Sequence, residues 1–545
     1  MDDATAIETE TALDAEQVAR SASTSRSAIA RAGLIVTGLF LLSRVLGYVR
    51  TIVIAGAVPD VGQLGPFFAA FRIPDFLFQL VAAGALSSAL IPVVAGLFAT
   101  DQEARAWRVV STVTTLMLSL LVAFAALVLL FAPQLVAFIT PGFDAAELAQ
   151  TVDLTRTMVL SPLFLAAGAV ATSALNAKGR FAAAGLAPLA YNLGIIVGAL
   201  VLVPAIGVGG LAYGVVLGAA GHVLVQVPSL VRVGARIAPG MDLRDEQARL
   251  ALVLMVPRAI GLGTTQVVFL VLTSLASTLG DQALAVFNFA FAVLQIPIGV
   301  IGVPLGVVLL PSLSREVATG ATDGFRRLMV RGLSILAYVM VVITVLGVVA
   351  SEDLVRILFE FAGIGEDAIE ATALLLAVFL VGLTAHSLIA VLARAFYALR
   401  DTRTPVVAAI VAVVVNVVVA NAVVRILGLP ALAVAIAAAA WIETLTLVVL
   451  LERRVPHLGF GHVALVLAKS AVAAGAGGAV AFGVAQVLLG AWGEDPGLLP
   501  LLARATAVTV SGGLVVVVTS LALRIGELGT IVGVVVDILR RRARA

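Results

Sequence analysis

Long apolar stretches follow one another along this chain, separated by short polar segments. Fourteen can be laid out, at about 33–57, 66–98, 108–133, 153–176, 182–204, 208–231, 249–278, 283–313, 328–350, 368–397, 404–425, 429–451, 465–490 and 500–523. A helix needs roughly 20 apolar residues to cross the hydrocarbon core, so each is long enough to span. Several are longer, and such helices tilt, kink or run beyond the bilayer. The runs far exceed the alternating strands of about 10 residues that a membrane β-barrel uses. The pattern predicts an all-α polytopic membrane protein of about fourteen transmembrane helices.

Composition agrees with that reading. The chain is 61% hydrophobic and only 12% charged, which excludes an ordinary soluble protein. There is no cysteine, so there is no disulfide framework, thiolate metal site or cysteine nucleophile. The four histidines are scattered, and no metal site is expected. Residues 1–32 are polar, rich in Ala, Ser and Thr, and read as a disordered cytoplasmic tail without a cleavable signal.

Charge sets the orientation. With the N-terminus in the cytoplasm, the inner segments carry Arg105, Arg108, Lys178, Arg180, Arg232, Arg236, Arg315, Arg326, Arg400, Arg403, Arg453 and Arg454. The outer loops carry Asp60, Asp144, Glu147, Asp281, Glu352, Asp353, Glu366 and Asp367. Only Arg156, Arg356, Arg425 and Arg504 fall outside, near span ends. This asymmetry places both termini inside, residues 524–545 forming a basic cytoplasmic tail. The outer segment Leu354–Phe361 is too short to span; it reads as an interfacial amphipathic helix or as a surface loop with a partly buried apolar face.

Short motifs recur in order. Ser43-Arg44-Val45-Leu46-Gly47 is echoed by Pro257-Arg258-Ala259-Ile260-Gly261, and the stretch from Ala85 to Pro92 by Pro304 to Pro311. Ala174-Leu175-Asn176 is echoed by Ala398-Leu399-Arg400, and Asn192 by Asn416. The offsets run only from about 214 to 224 residues. Six spans per copy is an even number, so the copies share one orientation, as parallel transporter repeats do. The expected organisation is a first lobe at 33–231, a second at 249–451, and two additional helices within 465–523.

Polar residues inside apolar stretches carry the candidate chemistry. A cation at membrane depth costs at least a few kcal/mol and normally faces protein or a water-filled cavity. Arg44 and Arg50 lie in the first stretch, about 9 Å of rise and roughly 120° apart on a helix, so they do not stack on one face. Arg258 is the repeat counterpart of Arg44, beside the helix-disrupting Pro257. Arg72 and Asp75 flank Pro74 at a spacing that allows an ion pair or leaves Arg72 as a ligand positioned by Asp75. Asn288, Gln266 and Gln295 offer hydrogen bonds to a cavity or between helices. His386 and Glu443 are the residues to consider for a coupling ion, each with packing as the plainer role. Arginine suits phosphate, because its planar fork donates two parallel bonds and stays charged. Together these residues point to a cavity that receives an anion such as a diphosphate.

The stretches SRVLGYVR (43–50), PFFAAFRIPDFLFQLVAAGALSSALIPV (66–93), PGF (141–143), ALNAKGRFAAAGLAP (174–188), IPIGVIGVPLGVVLLPSLSRE (296–316) and FYALRDTRTPV (396–406) resemble the MurJ family, also called MviN. These are lipid II flippases of the MOP exporter superfamily. The resemblance covers nearly the whole chain from about residue 33. It implies two six-helix lobes around a central cavity, with 465–523 forming a groove for the polyprenyl tail. It implies a transporter, not an enzyme, in the bacterial plasma membrane, moving undecaprenyl-pyrophosphate-linked peptidoglycan precursor from the inner to the outer leaflet by alternating access. Arg44 and Arg50 fall on the family's two essential first-helix arginines, and Arg72 keeps a positive charge found there. With the residue reading above, the candidate substrate-binding set is Arg44, Arg50, Arg72, Arg258, Asp75 and Asn288. Gly65, Phe78, Ala83 and Ala292 stand where the family carries aspartate, arginine, glutamate and arginine, so the cavity charge is reduced.

No cofactor is expected. Coupling to Na⁺ or H⁺ and drive by the membrane potential alone both stay open. The expected partners are lipid II, membrane lipids and cell-wall synthesis proteins, with no nucleic acid. A flippase for another polyprenyl-pyrophosphate-linked glycan, of O-antigen or teichuronic type, would use the arginines equally. A membrane enzyme acting on lipid-linked sugars would need a positioned base or nucleophile, usually on a sizeable polar loop. The outer loops are short and show no paired carboxylates.

Overall fold

The computed structural model describes residues 38–81, 85–493 and 497–542, and all regular structure among them is helical. The predicted tail 1–32 lies outside the described residues, as do Ala83, Glu494 and Asp495 and the side chain of Arg258. Twelve helices are long and apolar enough to cross a membrane. The pair Glu366–Val381 and Leu383–Ala398, bent by 44°, makes a thirteenth if counted as one span. The predicted stretch 249–278 is occupied by the continuous helix Glu246–Ser277. Each of the fourteen predicted stretches therefore holds helix, and the protein is an all-helical, multi-pass membrane protein.

Helix irregularities follow proline, as its missing N–H and its ring require. The helix Glu103–Ile139 has 37 residues, about 55 Å at 1.5 Å per residue, well beyond the bilayer core. It kinks at Phe131 (φ −105°, ψ 15°), two residues before Pro133. Pro204 and Pro304 each follow a five-residue π-helical segment, Gly198–Leu202 and Ile298–Gly302. There the ladder widens by one residue per turn before the proline (a π-bulge).

Contacts group the chain into two compact units. Of the described residues, the first comprises 38–50, 77–81, 85–130 and 157–259. Its tightest packing joins Phe181–Val197 to Gly209–Leu224 through small residues. A Cβ on Gly194 would lie 2.3 Å from the Cα of Gly218, and one on Gly198 2.5 Å from the Cα of Gly214. Only glycine permits that approach, and close backbone packing drives helix association where lipid removes the hydrophobic incentive. The polar segment before Glu246 is pinned to the Glu103–Ile139 helix. Ala238 N donates to Ser111 Oγ (3.2 Å), Asp242 N to Thr112 Oγ1 (3.2 Å), and Arg105 Nε to Asp245 (2.7 Å).

The second unit comprises 51–76, 131–156 and 260–545. It gathers those ends of the first four spans that the charge pattern assigns to the outside, and packs them on second-repeat segments. Gly142 N donates to Ser277 Oγ at 3.2 Å, and a Cβ on Gly142 would lie 2.2 Å from the Ser277 carbonyl oxygen. A Cβ on Gly56 would meet the carbonyl oxygen of Ala362 at 2.8 Å. Backbone rests on backbone at both of these contacts.

The short segment read as an interfacial helix is the helix Ser351–Phe359, and it is held by protein. Val355, Arg356 and Phe359 are buried. Asp353 takes two hydrogen bonds from Arg504, of the helix Leu498–Ala522, and Arg356 is bonded to Glu352 and Glu366. Amphipathic periodicity measures the width of the apolar face and does not distinguish a lipid surface from a protein one.

Candidate functional site

Arg44 and Arg50 lie on the helix Gly38–Ala55, and both belong to the first unit. Arg44 is exposed, its guanidinium 5.2 Å from the ring centroid of Phe40, one turn earlier. Arg50 is partly buried, and its Nη1 donates to Asn192 Oδ1 at 3.1 Å. Asn192 Nδ2 donates to the carbonyls of Pro188 (3.0 Å) and Ser43 (3.5 Å), which turns its oxygen toward the arginine. Arg50 Nε is sealed from the medium and has no acceptor among the described residues. The two arginines thus have different surroundings, as their angular separation on the helix predicts.

Arg72, Asp75 and Asn288 belong to the second unit. Arg72 Nε donates to Thr273 Oγ1 (3.2 Å) and its Nη2 to Asn288 Oδ1 (2.8 Å). Asn288 Nδ2 donates to the Leu284 carbonyl at 2.6 Å, so the amide orientation that presents oxygen to Arg72 is fixed from behind. The Phe269 ring centroid lies 5.1 Å from the Arg72 guanidinium carbon, a cation–π contact. Asp75 accepts from Gln266 Nε2 at 3.2 Å. Arg72 and Asp75 thus each have a partner on the Glu246–Ser277 helix, with Asn288 serving Arg72 as well.

Sequence reasoning missed Phe269 and Thr273. With Gln266 they recur at i, i+3 and i+7, one face of a helix. That spacing was readable, but an apolar ring and a hydroxyl say nothing of the arginine they meet. Arg394, on the helix Leu383–Ala398, was passed over as well. His386, on the same helix, buries its Nε2 without a hydrogen-bond partner among the described residues. Glu443 is partly buried on the helix Pro430–Arg454.

Among the described residues no group of three or more His, Asp or Glu side chains could hold a metal ion. What the two arginine sites share is a guanidinium held by neutral oxygens. Arg72 also lies within the field of the Asp75 carboxylate, three residues on, whereas the hydrogen bond described for Arg50 goes to a neutral amide; in both sites the hydrogen bonds orient the guanidinium fork.

The model of the family described as lipid II flippase MurJ matches residues 61–499. The chain belongs to the MurJ family. It is a member of a transporter family, not an enzyme family. A "Probable lipid II flippase MurJ" of Vibrio cholerae is 28% identical over 399 residues, covering 71% of this chain and 76% of that one. The "Lipid II flippase MurJ" of Burkholderia cenocepacia is 28% identical over 395 residues, covering 71% and 76%. A Treponema pallidum relative is 27% identical over 440 residues, covering 79% and 83%. Among solved structures, "Lipid II flippase MurJ, inward closed conformation" superimposes with a TM-score of 0.74 at 18% identity, covering 90% of this chain and 99% of that one. An inward-facing MATE-family multidrug transporter of the MOP superfamily gives a TM-score of 0.65 at 15% identity, covering 78% and 98%. The MurJ family and the MOP-type fold that the sequence motifs implied are therefore shown.

Proposed function

We propose that this MurJ-family protein translocates lipid II, the undecaprenyl-pyrophosphate-linked peptidoglycan precursor, from the inner to the outer leaflet by alternating access. The observation that carries this reading is the placement of Arg50 and Arg72 within membrane-spanning helices, each hydrogen-bonded to neutral side chains. Arg44, exposed on the same helix as Arg50, offers a further cation. In this reading Arg44, Arg50, Arg72 and Arg258 contact the diphosphate, while Asp75 and Asn288 position the arginines. Arg258 supplies the charge that Ala292 lacks. The lobes 33–231 and 249–451 rock about the cavity, and 465–523 guides the polyprenyl tail. Both termini face the cytoplasm.

Outward movement of an anion from a negative cytoplasm is assisted by roughly 2.3 kcal/mol per charge per 100 mV. Each diphosphate charge therefore adds drive without a coupling ion, and an Na⁺ or H⁺ would serve to reset the carrier.

The test is depletion of the resident lipid II flippase in a bacterium, rescue with this chain, and measurement of lipid II exposed at the outer leaflet. Wild type restores exposure, and Arg44→Gln does not. Failure of the wild type to restore it would overturn the reading. Rescue of a different polyprenyl-pyrophosphate glycan pathway in its place would assign that substrate class.

A further inference from the structure

Arg394 lies one turn from the end of the helix Leu383–Ala398 that the charge pattern puts inside. An anchoring arginine at such a place extends toward the interface. This one turns the other way. Its Nη1 donates at 2.6 Å to the carbonyl of Ala390, one turn deeper. Its side chain lies against the backbone of Gly306, where a Cβ would be 2.8 Å from Arg394 Cδ and 3.0 Å from Nη1. Gly306 is seven residues inside the predicted stretch 283–313, about 10 Å of helix rise from its inner end.

The guanidinium enters no ion pair among the described residues, and Ala390 is its one hydrogen-bond acceptor there. Unlike Arg50 Nε, its remaining N–H groups are not sealed from the medium. The accessible stripe around it is His386, Ile389, Ala390, Ala393, Arg394 and Tyr397. Ile389 is the one large aliphatic residue in it. The exposed stripe of the helix Arg403–Leu427 is instead aliphatic, with Val407, Ile410, Val411, Val414 and Val418. Lipid tails cover the second kind of surface; the first is small and polar and suits water.

We propose that Arg394 is an additional anion-binding residue, taking phosphate oxygens of a lipid ligand with the N–H groups that Ala390 leaves free. The phosphate comes from the diphosphate of the transported lipid or from a bilayer phospholipid. The first source rests on the flippase reading above.

The experiment compares lipid retention by purified full-length protein in native mass spectrometry. The probes are undecaprenyl pyrophosphate, phosphatidylglycerol and phosphatidylcholine. The variants are Arg394→Gln, Arg394→Lys, Gly306→Ala and Arg44→Gln. Arg394→Gln is expected to lower retention of undecaprenyl pyrophosphate at least tenfold and leave phosphatidylcholine unchanged. Lys keeps the charge but not the fork and retains an intermediate fraction. Gly306→Ala displaces the guanidinium without removing it and gives the same loss, so it decides the matter should Arg394→Gln fail to fold. Loss of phosphatidylglycerol in place of the diphosphate assigns the site to bilayer phospholipid.

Wild-type retention of both anionic lipids by Arg394→Gln overturns the inference. If Arg44→Gln alone loses the diphosphate, the transport reading stands and this inference falls. If wild type retains no diphosphate but Arg394→Gln still loses phosphatidylglycerol, the transport reading falls and the inference stands.

Discussion

Arg50 and Arg72 rest on amide and hydroxyl oxygens, whereas Arg356 and Arg504 rest on carboxylates. All four are the same residue in an apolar protein, and their hydrogen-bond partners divide them into two kinds. Asp353 and Arg504 are both nearly inaccessible, and Arg356 is as deeply placed between Glu352 and Glu366. Those charges are cancelled and clasp the Ser351–Phe359 helix to its neighbours. Burial is common to both kinds; the charge of the hydrogen-bond partner separates them. The contrast also accounts for exceptions to the inside-positive pattern. Of the four arginines that the charge pattern assigns to the outside, Arg356 and Arg504 are bound to acids, and Arg156 lies 3.9 Å from Asp153. A paired arginine carries little net charge to be held on one side.

The comparison breaks most sharply at Asp353. Arg504→Ala leaves a buried carboxylate without its counter-charge and is expected to cost about 3–5 kcal/mol, read as a lowered Tm in detergent. Arg504→Met combined with Asp353→Leu should recover most of that loss. Little change in Tm for the single variant would remove the clasp from the account.

Asn288→Ala should do the reverse. It deletes one hydrogen bond to a charged group, roughly 1.5–3 kcal/mol, and frees the Arg72 guanidinium to move. Binding of a polyprenyl diphosphate is expected to weaken about tenfold or more, which corresponds to about 1.4 kcal/mol per factor of ten. Arg72→Gln keeps donors for Thr273 and Asn288, and should lose the ligand with a smaller change in Tm than Arg504→Ala. Equal Tm losses for Arg72→Gln and Arg504→Ala would dissolve the distinction.

The smallest effect belongs to the converse case, a carboxylate held by neutral donors. Asp401 accepts from the backbone N–H of Thr404 and Arg403 and from the Thr404 hydroxyl. The Thr404 backbone bond is the chief cause that holds its carboxyl below the usual range. Its folded-state pKa is depressed, so its contribution is present above the ordinary carboxylate pKa and is lost as pH falls through the folded value. Asp401→Asn keeps an acceptor for the two N–H groups but removes the negative charge at the helix N-terminus, and should cost about 0.3–1 kcal/mol at neutral pH. That difference should shrink in melts taken at progressively lower pH, below the ordinary carboxylate range, as the folded-state carboxylate takes up its proton. A pH-independent difference would mean that the charge plays no part.

Much of this was legible in the residues. The fourteen apolar stretches all hold helix, because inside lipid a backbone satisfies its hydrogen bonds within the segment and length then suffices. The motifs around Arg44, Arg72 and Arg403 pointed to the family that the comparisons show. The partners were not legible. Thr273 and Asn288 are 201 and 216 positions from Arg72, and no local pattern connects them. The two readings of 354–361, an interfacial helix and a loop with a partly buried apolar face, could not be separated locally for the same reason: the helix Ser351–Phe359 is tied through Asp353 to Arg504, 151 positions away.

Sequence by itself determined the class of the protein, its helical stretches and which of them hold arginines. These are local properties, set by transfer of side chains and backbone from water. Only the tertiary structure decided which arginines are hydrogen-bonded to carboxylates and which to amide and hydroxyl oxygens. It also turned Arg394 inward, away from the end where an anchor would reach. Those outcomes depend on oxygens brought within about 3 Å by packing of distant helices, and hydropathy carries no information at that range.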